Sequence, residues 1–175
     1  MNTKPKTELL KPGLRILFIG FNPSPASAQT GWNYAGPNNR FYRILYESGL
    51  TNRLFTPSES RILFDEYQYG FTNLVQRPTP RASDVTTQEY REGAMRLRQT
   101  LQAYGPAFAC FVGKGVYQQY SRKQKVAWGF QPTTDVTCHT QFFVAPGTSG
   151  LVRMKLSEQV AVYRDLAEAV QQDNA

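Results

Sequence analysis

Residues 17–41 read L-F-I-G-F-N-P-S-P-A-S-A-Q-T-G-W-N-Y-A-G-P-N-N-R-F, and the order of residue types here decides the fold class. Ile16, Leu17, Phe18 and Ile19 are consecutive apolar residues, the mark of a strand buried on both faces rather than one that alternates between core and water. The run breaks at Gly20 and Pro23 and gives way to Ser, Gly, Asn, Pro and aromatics before a helical pattern begins near Asn38. A buried strand opening into a polar, glycine-bearing loop and then a helix is how α/β proteins present backbone N–H groups to a ligand at the carboxyl end of a sheet.

The same alternation continues outward. Residues 15–20 are the first expected strand, and residues 39–48 carry Phe41, Ile44 and Leu45 at helical spacing with Gly49 as the stop. Residues 58–67 read as a helix with Ser58 as N-cap, and residues 71–75 as a short strand. Residues 87–104 place Tyr90, Ala94, Leu97 and Leu101 on one helical stripe, ended by Gly105 and Pro106. Residues 107–112 form an apolar central strand, which Gly113-Lys114-Gly115 turns into a helix running through Tyr120. Residues 128–143 look extended, with Val136, Cys138 and Thr140 alternating against Thr137, His139 and Gln141. Phe142 to Ala145 then lead into a second special loop, P-G-T-S-G-L-V-R at 146–153, before a helix marked by Leu156, Val160, Tyr163 and Val170. The expected fold is a single α/β domain over residues 1–175, a three-layer sandwich with a central, mainly parallel β-sheet flanked by helices. A polar tail, mobile to about Leu9, is expected to precede it.

Composition bounds the function. A chain of 175 residues buries roughly 70% of its unfolded surface and needs no staples. The two cysteines, Cys110 and Cys138, are expected to be ordinary strand or core residues of a reducing, cytoplasmic protein. The longest apolar run, residues 107–112, is too short to span a bilayer, so no membrane association is expected. Twenty Lys and Arg face thirteen Asp and Glu, a net charge of +7. Between Glu92 and Asp135 stand Arg96, Arg98, Lys114, Arg122, Lys123 and Lys125 with no acidic residue. Such a patch attracts a polyanion, nucleic acid being the commonest, although several of these residues can equally form a solvated helix face.

Several chemistries are excluded. His139 is the single histidine and has no clustered ligand residues, which argues against a histidine metal site or a Ser-His-Asp triad. Two cysteines are too few for a four-thiolate iron–sulfur cluster. Gly113-Lys114-Gly115 lacks the spacing of a P-loop and reads as a strand-to-helix turn whose lysine is a candidate DNA-phosphate contact. No metal or cofactor is expected.

What remains is a pair of loops, each following an apolar strand and preceding a helix. G-F-N-P-S at residues 20–24 resembles the G-I-N-P-G motif of the mismatch-specific uracil/thymine DNA glycosylases, a branch of the uracil-DNA glycosylase superfamily. S-G-L-V-R at 149–153 resembles that branch's second motif, S-G-L-S-R. Between them T-G-W-N-Y-A-G-P-N-N-R-F, R-P-T at 77–79 and V-G-K at 112–114 fall in the family's order, as does Y-R-D-L near the C-terminus. The resemblance covers roughly residues 11 to 168.

The resemblance implies a monofunctional glycosylase that flips uracil, with thymine or etheno-cytosine as further candidates, out of double-stranded DNA at G·U or G·T mismatches and cuts the N-glycosidic bond with water. Asn22 would position the water. Backbone N–H groups around Gly20 and Phe21, with the amide of Asn39, would hold the base, and Pro23 would set the chain direction. Tyr34 would stack on the base, with Trp32 the alternative aromatic. Leu151 would be the wedge that fills the vacated stack, Gly150 would allow close approach, and Arg153 would insert or grip phosphate. Two departures stand out. Gly147 takes the place of a family asparagine, and Asn22 cannot accept a proton at neutral pH. Asp84 is the nominated carboxylate helper, or else the N-cap of the following helix. The expected partners are duplex DNA and the downstream abasic-site repair enzymes, and the expected state is a monomer. The competing readings are a DNA-binding module of this fold without turnover and an enzyme acting on free nucleotides.

Overall fold

A computed structural model describes residues 5–132 and 139–173. The first strand, β1 (Ile16–Gly20), is followed by a short helix α1 (Pro25–Thr30) and by α2 (Phe41–Ser48). After these come α3 (Ser60–Glu66), β2 (Tyr69–Asn73), α4 (Thr87–Tyr104), β3 (Phe108–Val112) and α5 (Lys114–Ser121). A two-residue strand β4 (Gly129–Phe130), β5 (Gln141–Ala145) and α6 (Leu156–Asp173) complete the domain. The strands lie in the order β2-β1-β3-β5-β4. All pairings are parallel except β4 with β5.

The result is the expected three-layer α/β sandwich, and the period-2 geometry of the strands explains it. Ile16 and Phe18 of β1, Phe108, Cys110 and Val112 of β3, and Phe143 and Ala145 of β5 face one layer, built from α2, α6 and Leu63 of α3. Leu17 and Ile19, Ala109 and Phe111, and Phe142 and Val144 face the other, where α4 and α5 supply Leu97, Leu101, Val116 and Tyr117. Covering both faces is what makes these strands read as unbroken apolar runs. On the first side Phe18 meets Phe41 edge to face at 5.1 Å, a geometry worth about 0.5–1.5 kcal/mol beyond area burial.

The structure corrects the expected elements in several places. The chain is already packed inside the stretch expected to be a tail: Thr7 is buried, and the backbones of Leu9 and Phe71 exchange hydrogen bonds of 2.9 and 3.0 Å. The polar loop after β1 contains α1, because Ser24 caps Ser27 N and Gly31 closes the other end. β2 starts at Tyr69 rather than Phe71, which puts Asn73 rather than Val75 at its end. The helix at 58–67 opens with a 3-10 turn, Pro57–Glu59, capped by Thr56 instead of Ser58. Of the segment 128–143 expected to be extended, the described residues form strand at β4 and β5, and residues 133–138, Val136, Thr137 and Cys138 among them, lie outside the described residues. Cys110 is a buried free thiol, its pKa pushed up by burial. Arg96, counted with the basic patch, turns inward and donates to the carbonyl of Leu74 at 2.6 Å. Among the described residues no helix is long and apolar enough to cross a membrane.

Candidate functional site

Because β1, β2, β3 and β5 run the same way, their carboxyl ends Gly20, Asn73, Val112 and Ala145 finish along one edge of the sheet. The loops leaving that edge enclose a cleft of about 840 Å³, into which both special loops project. Open parallel sheets place ligands at this edge.

Asn22 sits at the first turn of the loop after β1, and its side chain is fixed. Its Nδ2 donates to the carbonyl of Arg77 at 2.9 Å and to Oγ1 of Thr79 at 2.7 Å. The Thr79 hydroxyl spends its own hydrogen on the carbonyl of Arg81 at 2.6 Å. Exchanging the amide's N and O would set an oxygen against the Arg77 carbonyl, so the orientation is dictated by the partners. Both amide hydrogens are thereby used, and what Asn22 offers the cleft is the acceptor Oδ1. The supporting loop is pinned in turn by α4. Arg77 makes a two-pronged pair with Glu89, Nε to Oε1 at 2.7 Å and Nη2 to Oε2 at 3.1 Å. That contact, followed by the Thr86 N–H, holds the Glu89 carboxyl down at about 2.

Gly20 lets the Asn73 side chain come close. A Cβ there would lie 2.7 Å from Oδ1 of Asn73 and 3.6 Å from the Tyr34 hydroxyl, and the Asn73 amide would have to turn away. Asn73, register partner of Gly20, thus aims its amide across the cleft floor. Tyr34 adopts a left-handed backbone, φ 53°, uncommon for a bulky residue and a form of strain found at functional sites. Its ring stacks on Phe41 at 3.9 Å and 15°, which covers one face and leaves at most the other for a ligand. Burial pushes the Tyr34 phenol pKa well above its ordinary value, with the nearby Cys110 and Tyr42 adding to the effect. Trp32, the alternative aromatic, is exposed and is not part of the cleft lining.

Phe21 and Pro23 also line the cleft. The Phe21 ring leans toward the other core layer, against Tyr90 and over Gly115. Among the described residues no protein acceptor meets the backbone N–H of Phe21 or Asn22. Asn39 lines the cleft but uses Oδ1 to accept from Phe41 N at 3.0 Å, so it has only its NH2 to offer.

The second loop is held from behind. Arg40 donates its backbone N–H to the Thr148 carbonyl at 2.9 Å and its guanidinium to Met154 O and Gln159 Oε1. Gln159, fully buried, donates to Gly147 O at 2.8 Å, and the Tyr163 hydroxyl donates to Pro146 O. A Cβ on Gly150 would meet Asn38 Cβ at 2.7 Å, so glycine lets the two loops touch. On this braced base Leu151 is 88% exposed, the most exposed of the large apolar residues among those described. Arg153 is exposed close by. At Gly147 an added Cβ would meet only Val152 Cγ2, at 3.5 Å, so the backbone leaves room for the side chain that this chain lacks.

Asp84 and Lys114, both expected at the site, lie outside the cleft lining. The Asp84 carboxylate accepts from Arg81 N at 3.2 Å and meets the Arg81 guanidinium at 3.4 Å, closing the 3-10 turn Ala82–Asp84. It is not the helix cap either, since Thr86 and Glu89 form that capping box. Lys114 begins α5 beyond the lining and lies over the Trp128 ring at 4.2 Å. Sequence reasoning missed Thr79, Asn73 and the buried pair Thr7 and Asn33, all of which line the cleft. The Asn33 Nδ2 has no acceptor. Thr79 was visible only as part of R-P-T, and Asn73 only through a register that sequence does not display.

Arg81 is the single charged residue of the lining, and no carboxylate or imidazole joins it among the described residues. Arg81 apart, the site is an uncharged, hydrogen-bonding pocket beside an apolar point. A family model described as the uracil DNA glycosylase superfamily matches residues 7–171, a span that begins at the packed N-terminal segment and takes in every strand and both loops. The chain that builds this pocket therefore belongs to the uracil DNA glycosylase superfamily, a family of DNA glycosylases.

Proposed function

We propose that this chain is a monofunctional glycosylase of the mismatch-specific branch, excising uracil, with thymine and etheno-cytosine as further candidate substrates, from G·U and G·T pairs in duplex DNA. The observation that carries the reading is the locked Asn22 amide, whose only remaining capacity is to accept a hydrogen bond inside a cleft flanked by an exposed leucine.

The flipped pyrimidine lies against the face of Tyr34 that Phe41 leaves uncovered, its edge toward Asn73. Asn73 has an amide oxygen and nitrogen to pair with the base's imide edge, and the N–H groups of Phe21 and Asn22 favour the negative charge that grows on the departing ring. The C1′–N bond breaks with its electron pair going to the base, which leaves an oxocarbenium-like sugar. A water held by Asn22 Oδ1 adds its oxygen to C1′, and its proton passes to solvent or to the expelled base. Because the sugar is already cationic, orienting the water matters more than deprotonating it, which suits an amide. Leu151 occupies the space left in the stack, and Arg153 takes a nearby phosphate. Asp84 acts here as a turn residue and takes no part in the reaction.

The test is a labelled duplex with one G·U pair, incubated with the protein and then with alkali. Scission at the uracil is expected. An intact strand at stoichiometric enzyme would refute the reading.

A further inference from the structure

Trp128 is an aromatic of the cleft lining that takes no part in holding the base. It lines the cleft mouth and is 38% exposed, although the turn that carries it is firmly built. Gln131 donates its amide to Ala127 O at 2.7 Å and to Gly129 O at 3.0 Å. Gln131 N pairs with Phe142 O at 2.9 Å, and Phe130 packs on Phe143 at 4.9 Å. A brace on both sides of the residue holds the indole out of the core. One face of the ring carries Lys114 Nζ, 4.2 Å from its centroid. Exposed Arg122, Lys123 and Lys125 lead up to it in the chain. An outward aromatic with a cation on one face, at the end of a basic run, is the pairing with which proteins hold a nucleic-acid strand: stacking for the base, charge for the backbone.

We propose that Trp128 is a strand-holding residue, its free face stacking on a base of the lesion strand beside the flipped nucleotide while Lys114, steadied by the ring, takes the adjoining phosphate. The proposal rests on the glycosylase reading and adds to it a contact outside the base pocket. Trp128 and Lys114 then govern how tightly the strand is held, whereas Asn22 governs how fast the bond is cut.

The experiment uses the full chain with Trp32→Phe, so that Trp128 is its one remaining indole, and a short duplex with a tetrahydrofuran abasic analogue opposite guanine. Saturation with this duplex should quench the Trp128 emission. Trp128→Ala should weaken binding by roughly tenfold or more, with Trp128→Phe restoring most of it. Lys114→Ala should lower the slope of log affinity against log salt by about one. The single-turnover excision rate at saturating enzyme should change far less than affinity in each variant. Unchanged emission in the folded Trp32→Phe protein, together with undiminished affinity in Trp128→Ala, would overturn the proposal while leaving the glycosylase reading intact. If the unsubstituted protein neither binds the duplex nor excises uracil, the glycosylase reading itself falls.

Discussion

The side-chain amide of Asn22 donates to the hydroxyl of Thr79 at 2.7 Å, and Thr79 passes its own hydrogen to the Arg81 carbonyl at 2.6 Å. A residue 57 positions away thereby decides which end of Asn22 faces the cleft. Thr79→Val keeps the shape but removes the acceptor, leaving Arg77 O as the sole anchor. A neutral hydrogen bond contributes about 0.5–1.5 kcal/mol, so the single-turnover rate should fall by roughly two- to twelvefold while duplex affinity holds, and Thr79→Ser should recover it.

Asp84 is engaged by Arg81 and should not touch the rate. Asp84→Asn should excise uracil within about twofold of the unsubstituted chain. Asp84→Ala should lose about 0.5–1 kcal/mol of stability, the scale of a lost cap, measurable as a lower urea midpoint. A rate loss beyond tenfold in Asp84→Asn would restore the carboxylate to the mechanism.

A lining with no carboxylate or imidazole among the described residues implies a flat pH profile around neutrality. Tyr34 stays protonated there because burial raises its pKa. On the acid side Glu89 matters. Its folded pKa, about 2, lies below the ordinary 4.5, so the stability from its pair with Arg77 is complete above about 4.5 and is lost as pH falls toward 2. Single-turnover rates across this range should show a plateau and then an acid decline. A bell centred near neutrality would point to a general base.

Leu151, 88% exposed, contributes nothing to the fold. Leu151→Ala should unfold within about 0.5 kcal/mol of the unsubstituted protein. Excision should nevertheless fall, and fall further for uracil opposite adenine than opposite guanine, because a well-paired base costs more to extrude and depends more on the wedge. Equal losses on the two duplexes would argue against a wedge.

The parts of the fold legible in the sequence are those set by burial pattern. Ile16–Ile19 and Phe108–Val112 are unbroken apolar runs because helices cover both sheet faces, and α4 shows its stripe over 18 residues. Short elements held by caps were harder. The signals for α1, Ser24, Pro25 and Gly31, stand in the sequence, yet six residues without an apolar stripe read as loop. Likewise T-T-Q-E at 86–89 spells the capping box that reading Asp84 as a cap overlooked. In the site, Asn22, Gly20, Tyr34 and Leu151 were legible from motif. Thr79 and Asn73 were not, because their roles come from pairing across the sheet edge and from a loop pinned by Arg96 and Glu89, contacts between residues far apart in the chain.

Asn22→Ala removes the oxygen assigned to hold the attacking water. With enzyme in excess over a G·U duplex, and duplex affinity measured on the abasic analogue in parallel, the excision rate should drop by at least about a hundredfold, on the scale of a lost positioned catalytic group, with affinity within about threefold. An Asn22→Ala protein that binds normally and excises uracil at the unsubstituted rate would contradict that assignment.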